Sequence, residues 1–418
     1  MFERGTEETM NESSRNFAII AATFTGNRGA EAMLLTTIEQ IQKRFPTANI
    51  HVLSYAPHED RAWLASHPIS RVYIHDATPK QIALQWCPGA ILAKLFGKSL
   101  SLAAEHGQKI QSLLNVDALF DLAGVAFIDG REKFLPFNVL TVAPFMINGV
   151  PVYKMSQAIG PITSVPNKVC AKMVLPFCKR VVARGKTTLE HLTAFGLDKN
   201  VRHAPDVSFL LRPASAPLAA HDRAFDVGIM PSSVVARKRP DYEDLIVSVT
   251  NKLIERGLRV SLIAHSWKEG TEKPFNNDLP LVKKIAGKIS QGNISILGPG
   301  LDARGLKQAV SDHKTIITSR FHGMIAALDT ETPPIVLGWS HKYREVLERF
   351  GLGHCALPTN STSTEALAQK TVEILQDVEN LSGNLKKELP QIRHDAQVQF
   401  DDILDELAHG GQQLQKAS

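Results

Sequence analysis

At 418 residues the chain exceeds what one hydrophobic core usually serves, so two domains are expected. A content of 44% hydrophobic and 21% charged residues excludes the disordered and fibrous classes. The net charge of +5, from 47 basic and 42 acidic residues, suits anionic small substrates or an acidic membrane surface. With no basic run or RNA-binding motif beside it, that charge speaks against nucleic acid as a partner.

The opening residues, MFERGTEETMNESSRN, lack the basic-apolar-small order of a secretory signal. A strand is predicted over 17–22 (FAIIAA), followed by a helix over 30–44 and strands over 49–54, 71–75 and 117–122. The apolar stretch 81–104 interrupts this order. Lys94, Lys98 and the Pro88-Gly89 break exclude a spanning helix there, and no uncharged apolar run elsewhere is long enough to cross a bilayer. The stretch reads as a packed helix pair or lid. Its rival reading is an interfacial patch with Trp86, Leu92, Leu95 and Phe96 in lipid and lysines on headgroups. A helix over 134–148, a strand over 150–156, a helix over 167–178, a strand over 180–184, a helix over 187–195 and a short strand over 201–204 complete a first domain, 17–210.

The Pro- and Ala-rich segment 211–224 reads as a linker. A second domain, 225–383, then repeats the alternation, with strands over 225–231, 258–264, 293–297, 314–318 and 334–339. Helices are predicted over 241–256, 279–289, 303–310, 322–328, 342–349 and 363–379. A last amphipathic helix, 384–408, is expected to pack back toward the first domain. Such alternation argues for an α/β protein: two Rossmann-like, doubly wound parallel-sheet domains facing a cleft, an architecture that resembles GT-B. Cys87, Cys170, Cys178 and Cys355 form no C-x-x-C pair, so neither a metal site nor a disulfide framework is expected, and a reduced, cytoplasmic setting is.

In open α/β sheets ligands sit at the carboxyl ends of strands, which directs attention to the loops there. The stretch 313–328, HKTIITSRFHGMIAAL, is the most informative: a strand enters Ser319-Arg320-Phe321-His322-Gly323, where a helix begins. Arginine, imidazole and helix N–H groups converge, as an anion site requires. Alternatively, Ser319 caps the helix, Arg320 pairs with an acid and His322 packs in the core. In the first loop, Gly26 and Gly29 allow close approach, Asn27 offers an amide and Glu31 a proton acceptor; Glu31 complementing the helix dipole and Asn27 holding a turn is the bland alternative. Ser156 and Gln157 end another strand as neutral donors for sugar hydroxyls, or serve their own loop. Arg184, before Gly185-Lys186-Thr187-Thr188, repeats the logic of Arg320. Asp206 adds a carboxylate, and Lys342 opens the helix after PIVLGW, where a solvated surface lysine is the strong alternative.

Taken together, these positions resemble the polysaccharide pyruvyltransferase family from about residue 17 to 350. Asn27-x-Gly29-Ala30-Glu31-Ala32 looks like its opening motif and Ser156-Gln157-x-x-Gly160-Pro161 like its central element. Ala183-Arg184 and Asp206 fall at its arginine and aspartate motifs. Ser319-Arg320-Phe321-His322-Gly323, with Ala326 and Pro333, is its most specific signature, and Trp339-Ser340-His341-Lys342 resembles that signature's tail. Two departures stand out: Gly185 replaces an often acidic residue, and the usual glycine-rich turn near 120 is reduced to Leu122-Ala123-Gly124.

The resemblance implies transfer of a pyruvyl group from phosphoenolpyruvate to a sugar, leaving a cyclic pyruvate ketal, with no cofactor and no metal. Arg184 and Arg320 would anchor the donor, helped by the helix N-termini at 321–323 and near 187. Phe321, Gly323, Asn27, Gly29, Ser156, Gln157 and Lys342 would complete the binding set. His322 would protonate the donor's C3 or hold its phosphate, and Glu31 or Asp206 would take the acceptor's proton. The implied acceptor is a sugar of a bacterial surface polysaccharide or its polyprenyl-linked precursor, reached in the cytoplasm or, through 81–104, at the inner membrane face. A nucleotide-sugar-dependent GT-B glycosyltransferase and a non-catalytic binding relative are the rival readings. The pyruvyltransferase reading requires that Arg184 and Arg320 meet in one crevice without both being neutralised by internal acids.

Overall fold

The computed structural model describes residues 14–96, 115–268, 276–290, 294–338 and 341–415. In chain order the strands of the first half are β1 (Asn16–Ile20), β2 (Gly26–Asn27), β3 (Asn49–Ser54), β4 (Val72–Asp76), β5 (Ala118–Asp121), β6 (Val125–Ala126), β7 (Val152–Ile159), β8 (Arg180–Arg184) and β9 (Val201–Ala204). Those of the second are β10 (Phe225–Met230), β11 (Val260–Ile263), β12 (Ser266–Trp267), β13 (Ser295–Leu297), β14 (His313–Thr318), β15 (Pro334–Gly338) and β16 (Ala356–Pro358).

Two parallel sheets result, ordered β4-β3-β1-β5-β7-β8-β9, with β6 paired to β7, and β13-β11-β10-β14-β15-β16. Their central strands are continuous apolar runs because helices cover both faces, leaving no wet side to demand alternation. Thus Phe17, Ile19, Phe120 and Met155 belong to one core layer, while Ala18, Ile20, Leu119 and Val152 belong to the other. The second sheet encloses Val227, Ile229, Leu262 and Ile317 in the same manner.

The helix predicted over 134–148 is broken into Leu135–Leu140 and Ala143–Ile147. Pro144 explains this, since it has no N–H to give and its ring would collide with the Leu140 carbonyl; it sits instead in the first turn of a new helix. Trp86 departs from its place in the interfacial reading of 81–104: it is 4% exposed and packs edge-to-face on Phe145, so it belongs to the core beneath the helices. The side chains of Leu92, Leu95 and Phe96, and all of 97–104, lie outside the described residues. Among the described residues no helix is long and apolar enough to cross a membrane.

Several contacts join the two halves. β2 pairs antiparallel with β12, so a strand from each half makes a two-stranded ribbon. Lys307, buried, donates to the carbonyls of Ser208 and Leu211, each at 2.7 Å, and to Asp329 at 2.6 Å. The helix Val378–Gln415 places Leu385, Leu389 and Ile392 in the second core and Phe400, Ile403 and Leu404 in the first. At the end of the segment 211–224, buried Arg223 donates to the carbonyls of His313 and Glu331, fastening that segment to the second half. The carboxyl ends of β8, β10 and β14 consequently open onto one shared space.

A cationic cavity between the two halves

A cavity of about 390 Å³ lies at those strand ends, and both halves line it. From the first half come Asn27, Gly124, Phe127, Arg131, Phe134, Phe137, Asn138 and Arg184; from the second come Ser232, His265, Ser319, Arg320, Phe321, His322, Lys342 and Tyr343. The helix Phe321–Asp329 starts at its wall, and its N-cap, Arg320, makes no side-chain cap. The first N–H groups of that helix therefore lack side-chain acceptors, as an anion site needs. Ser319 is not the cap: its hydroxyl accepts from Tyr242 Oη at 2.8 Å, and Tyr343 Oη reaches the Ser319 carbonyl at 3.4 Å. Two buried tyrosines thus fix the Ser319–Gly323 turn.

Arg184 and Arg320 share this cavity, but neither guanidinium is unopposed. Arg184 Nη1 pairs with Asp206 at 2.6 Å and Nη2 donates to the Gly124 carbonyl at 2.8 Å. Arg320 pairs with buried Asp278 and donates to Asn276 Oδ1 at 2.7 Å. The condition set by the sequence is met in position and fails in charge. Two guanidinium groups closing alone over an anion is corrected by the reason the alternative reading supplied: an arginine flanked by apolar elements needs an acid when no ligand is there. The positive charge is spread more widely. Four cations, Arg131, Arg184, Arg320 and Lys342, line the cavity, and Asp206 and Asp278 oppose Arg184 and Arg320 from behind its wall.

Phe321 organises two of these cations. The Arg184 guanidinium lies 4.2 Å and the Lys342 ammonium 5.3 Å from its ring centroid. An aromatic face attracts cations without cancelling their charge. Burial, reinforced by Arg184 and Arg131, pushes the Lys342 ammonium down to about 7. Arg131 rests over Phe134 at 4.9 Å and has no acid partner among the described residues.

His322 crosses the domain boundary. Its Nε2 lies 3.4 Å from Asp206 Oδ2, within ion-pair range but without hydrogen-bond alignment. Burial would raise the Asp206 carboxyl, yet His322, Arg184 and the Ser208 hydroxyl outweigh it and hold that carboxyl well below its usual range. Asp206 is therefore a fixed anion with little basicity, which corrects its expected role as a proton acceptor. Gly29 owes its identity to the same imidazole: a Cβ there would stand 2.2 Å from His322 Cγ. Gly29→Ala is expected to displace the ring and lower turnover at least tenfold, with a normal far-UV circular dichroism spectrum. Steady-state kinetics checks this, and unchanged turnover refutes it.

Other expected residues lie away from the cavity. Glu31 is fully buried and paired with Arg28; burial, which Arg28 only partly offsets, raises its carboxyl to about 8. It does not line the cavity and cannot meet an acceptor, a second correction. Ser156 Oγ lies 3.0 Å from both the Pro205 carbonyl and Gln399 Oε1, and Gln157 Nε2 donates to the Asp121 carbonyl at 3.0 Å. Both are buried and hold β7 to its neighbours, so neither can serve sugar hydroxyls. Gly323 packs on Met230 and Thr318, where a Cβ would collide at 2.3 and 2.7 Å. Asn27 lines the cavity, but its Oδ1 caps the helix Arg28–Arg44 by accepting from Gly29 N at 3.1 Å.

The helix N-terminus near 187 is occupied as well. Glu345 accepts from Thr187 N at 3.2 Å, and its carboxylate lies where a Cβ on residue 185 would be, at 2.6 Å. With φ of +98°, position 185 suits glycine on both counts, and an acid there would also face Glu345. Trp339 and Ser340 lie outside the described residues.

Arg131, Phe134, Phe137, Asn138 and His265 escaped the sequence reading. Arg131 sits in Asp129-Gly130-Arg131-Glu132-Lys133, whose mixed charges look like a solvated turn. His265 is fully buried; burial foremost, then Arg320 and His322, holds its imidazole neutral, well below the usual range. Among the described residues no group of three or more His, Cys, Asp or Glu side chains is placed to hold a metal ion.

Solved structures with this architecture include a putative UDP-N-acetylglucosamine 2-epimerase from Listeria monocytogenes, with a TM-score of 0.64 and 13% identity over 96% of this chain and 98% of that one. Another is the Neisseria meningitidis UDP-GlcNAc 2-epimerase bound to UDP-GlcNAc, at 0.62 and 10% over 94% and 100%. A UDP-glucose:anthocyanidin 3-O-glucosyltransferase in complex with UDP aligns at 0.54 and 10% over 95% and 99%. At such identities the likeness establishes a GT-B-like fold and no activity. The model of the family described as polysaccharide pyruvyl transferase matches residues 27–341, a span holding both the Asn27–Ala32 loop and the Ser319–Gly323 turn. With three quarters of its length matched, this chain belongs to the polysaccharide pyruvyl transferase family.

Proposed function

We propose that the protein transfers a pyruvyl group from phosphoenolpyruvate to a sugar of a bacterial surface polysaccharide or its lipid-linked precursor, forming a pyruvate ketal. One observation carries the reading: a cavity between the halves lined by four cations, beside a helix start without a side-chain cap. Phosphoenolpyruvate brings a phosphate and a carboxylate, the negative charge that such a lining favours. Arg131 and Lys342 carry most of the binding, Arg184 contributes the N–H groups its acid leaves over, and Arg320 shapes the turn.

In this reading the donor's C3 accepts a proton, which leaves C2 with oxocarbenium character. One sugar hydroxyl adds to C2, the C2–O bond to phosphate breaks, and a second hydroxyl of the same sugar closes the ketal. The two hydroxyl protons balance the C3 proton and the charge of the departing phosphate. Lys342 is the proton donor that best fits, since an ammonium near 7 surrenders its proton at working pH. His322, with Nε2 3.4 Å from Asp206, then serves as a ligand of the donor's phosphate. Phe134, Phe137 and Asn138 leave an apolar wall with one amide for the sugar.

Differential scanning fluorimetry tests the reading. Phosphoenolpyruvate at a hundredfold excess over its Kd should stabilise the fold by about 2.7 kcal/mol, and UDP should not. A rise with UDP alone would transfer the assignment to a nucleotide-sugar glycosyltransferase. Phosphate release with phosphoenolpyruvate and galactoside or mannoside acceptors separates the enzyme from a binding relative.

A further inference from the structure

The helix Val165–Val174 and the turn Leu175–Phe177 that follows bury Asn167, Ala171, Val174 and Leu175 on one side. The other side is apolar too. Val165, Val169, Met173 and Phe177 recur every fourth residue and are 72%, 52%, 58% and 71% exposed. Four large apolar side chains in one row on a helix surface are not the scattered exposure of an ordinary protein face. Lys168 and Lys172, both exposed, flank the row on one side. No Asp or Glu occurs between Glu132 and Glu190. The helix region 79–96, packed on the same core layer, adds exposed Leu84 and Ile91 with exposed Lys80 and Lys94.

We propose that this face docks on an anionic lipid bilayer, with Val165, Val169, Met173 and Phe177 in the headgroup–acyl boundary and the lysines on acidic headgroups. Charge decides the occupant. A row of apolar side chains flanked by Lys168 and Lys172 complements a negative, apolar-beneath surface, and two copies of a lysine-flanked face repel each other. The placement also suits the cavity. Asp129, two residues before Arg131, accepts from Thr163 N and Oγ1 at 2.6 Å and from Asn167 Nδ2 at 2.8 Å, tying the start of the helix to the cavity's rim.

Co-sedimentation of the full chain with vesicles tests the proposal independently of turnover and of phosphoenolpyruvate. Binding to phosphatidylcholine–phosphatidylglycerol vesicles, much weaker on phosphatidylcholine alone and weakened by salt, is the expected result. The double variant Lys168→Gln/Lys172→Gln should lose roughly thirtyfold in partitioning, about fivefold per lysine. Met173→Ser/Phe177→Ser should lose roughly a hundredfold. Both pairs are exposed, so unchanged melting temperatures keep the comparison fair. Absence of wild-type binding, or variants that bind like wild type, overturns the proposal. So does a dimer in analytical ultracentrifugation that the Met173→Ser/Phe177→Ser variant dissociates, which would assign the face to a second copy.

Discussion

Lys342→Arg is expected to bind phosphoenolpyruvate within a few-fold of wild type and to lose about 10²–10⁴-fold in turnover, the scale of a general acid removed. The two residues share a charge but not an acidity, because a guanidinium keeps its proton at every working pH. Wild-type kcat/KM for phosphoenolpyruvate should fall above about pH 7, where the free enzyme's Lys342 loses its proton. The sign follows from the cause. Burial foremost, with Arg184 and Arg131 beside it, disfavours the ammonium, so the protonated form dominates below 7 and vanishes above. The bound donor's negative charge opposes those effects, so the limb in kcat should lie at higher pH than the limb in kcat/KM. A Lys342→Arg enzyme with near wild-type turnover, or with an unmoved alkaline limb, would reduce Lys342 to an electrostatic anchor.

The fold was legible because both sheets are buried on two faces: strands such as 17–20 and 334–338 read as apolar runs, and their helices keep an apolar stripe. What stayed illegible were devices that depend on the third dimension. The break in 134–148 hung on Pro144, whose effect is local and could have been weighed. The antiparallel pairing of β2 with β12 joins residues 26–27 to 266–267, a contact with no periodic trace in either segment. At the site, motif spacing located Arg184, Arg320, Phe321, His322 and Lys342 around one cavity. It did not reveal their partners. Asp278 and Asp206 are distant in sequence from Arg320 and from His322, and nothing in either loop marks which acid will be buried against which cation. Glu31, Ser156 and Gln157 sit in motifs yet point into packing, because one motif can hold both the residues that meet a ligand and those that hold the first set still.

That division of labour predicts an unusual outcome for Asp206→Asn. Asp206 joins Arg184 at 2.6 Å to His322 at 3.4 Å across the two halves, so it neutralises charge that a donor anion would otherwise meet. Breaking a buried pair by removing one charge costs about 3–5 kcal/mol, and the asparagine amide, still able to accept from Ser208 N, returns only part of it. The free variant should therefore melt well below wild type. Because the Asp206 carboxyl is held below its ordinary 3.8, its contribution is complete above that pH and disappears as pH falls through the depressed value. The gap between variant and wild type should accordingly stay constant through neutral pH and close only in strong acid. Phosphoenolpyruvate supplies the missing negative charge, so its stabilising effect on the variant should exceed its effect on wild type, while turnover falls because the His322 ring loses its anchor. Fluorimetry with and without donor reads both quantities in one plate. A donor-induced rise smaller in the variant than in wild type would show that Asp206 only builds the cavity and does not compete with the anion for its cations.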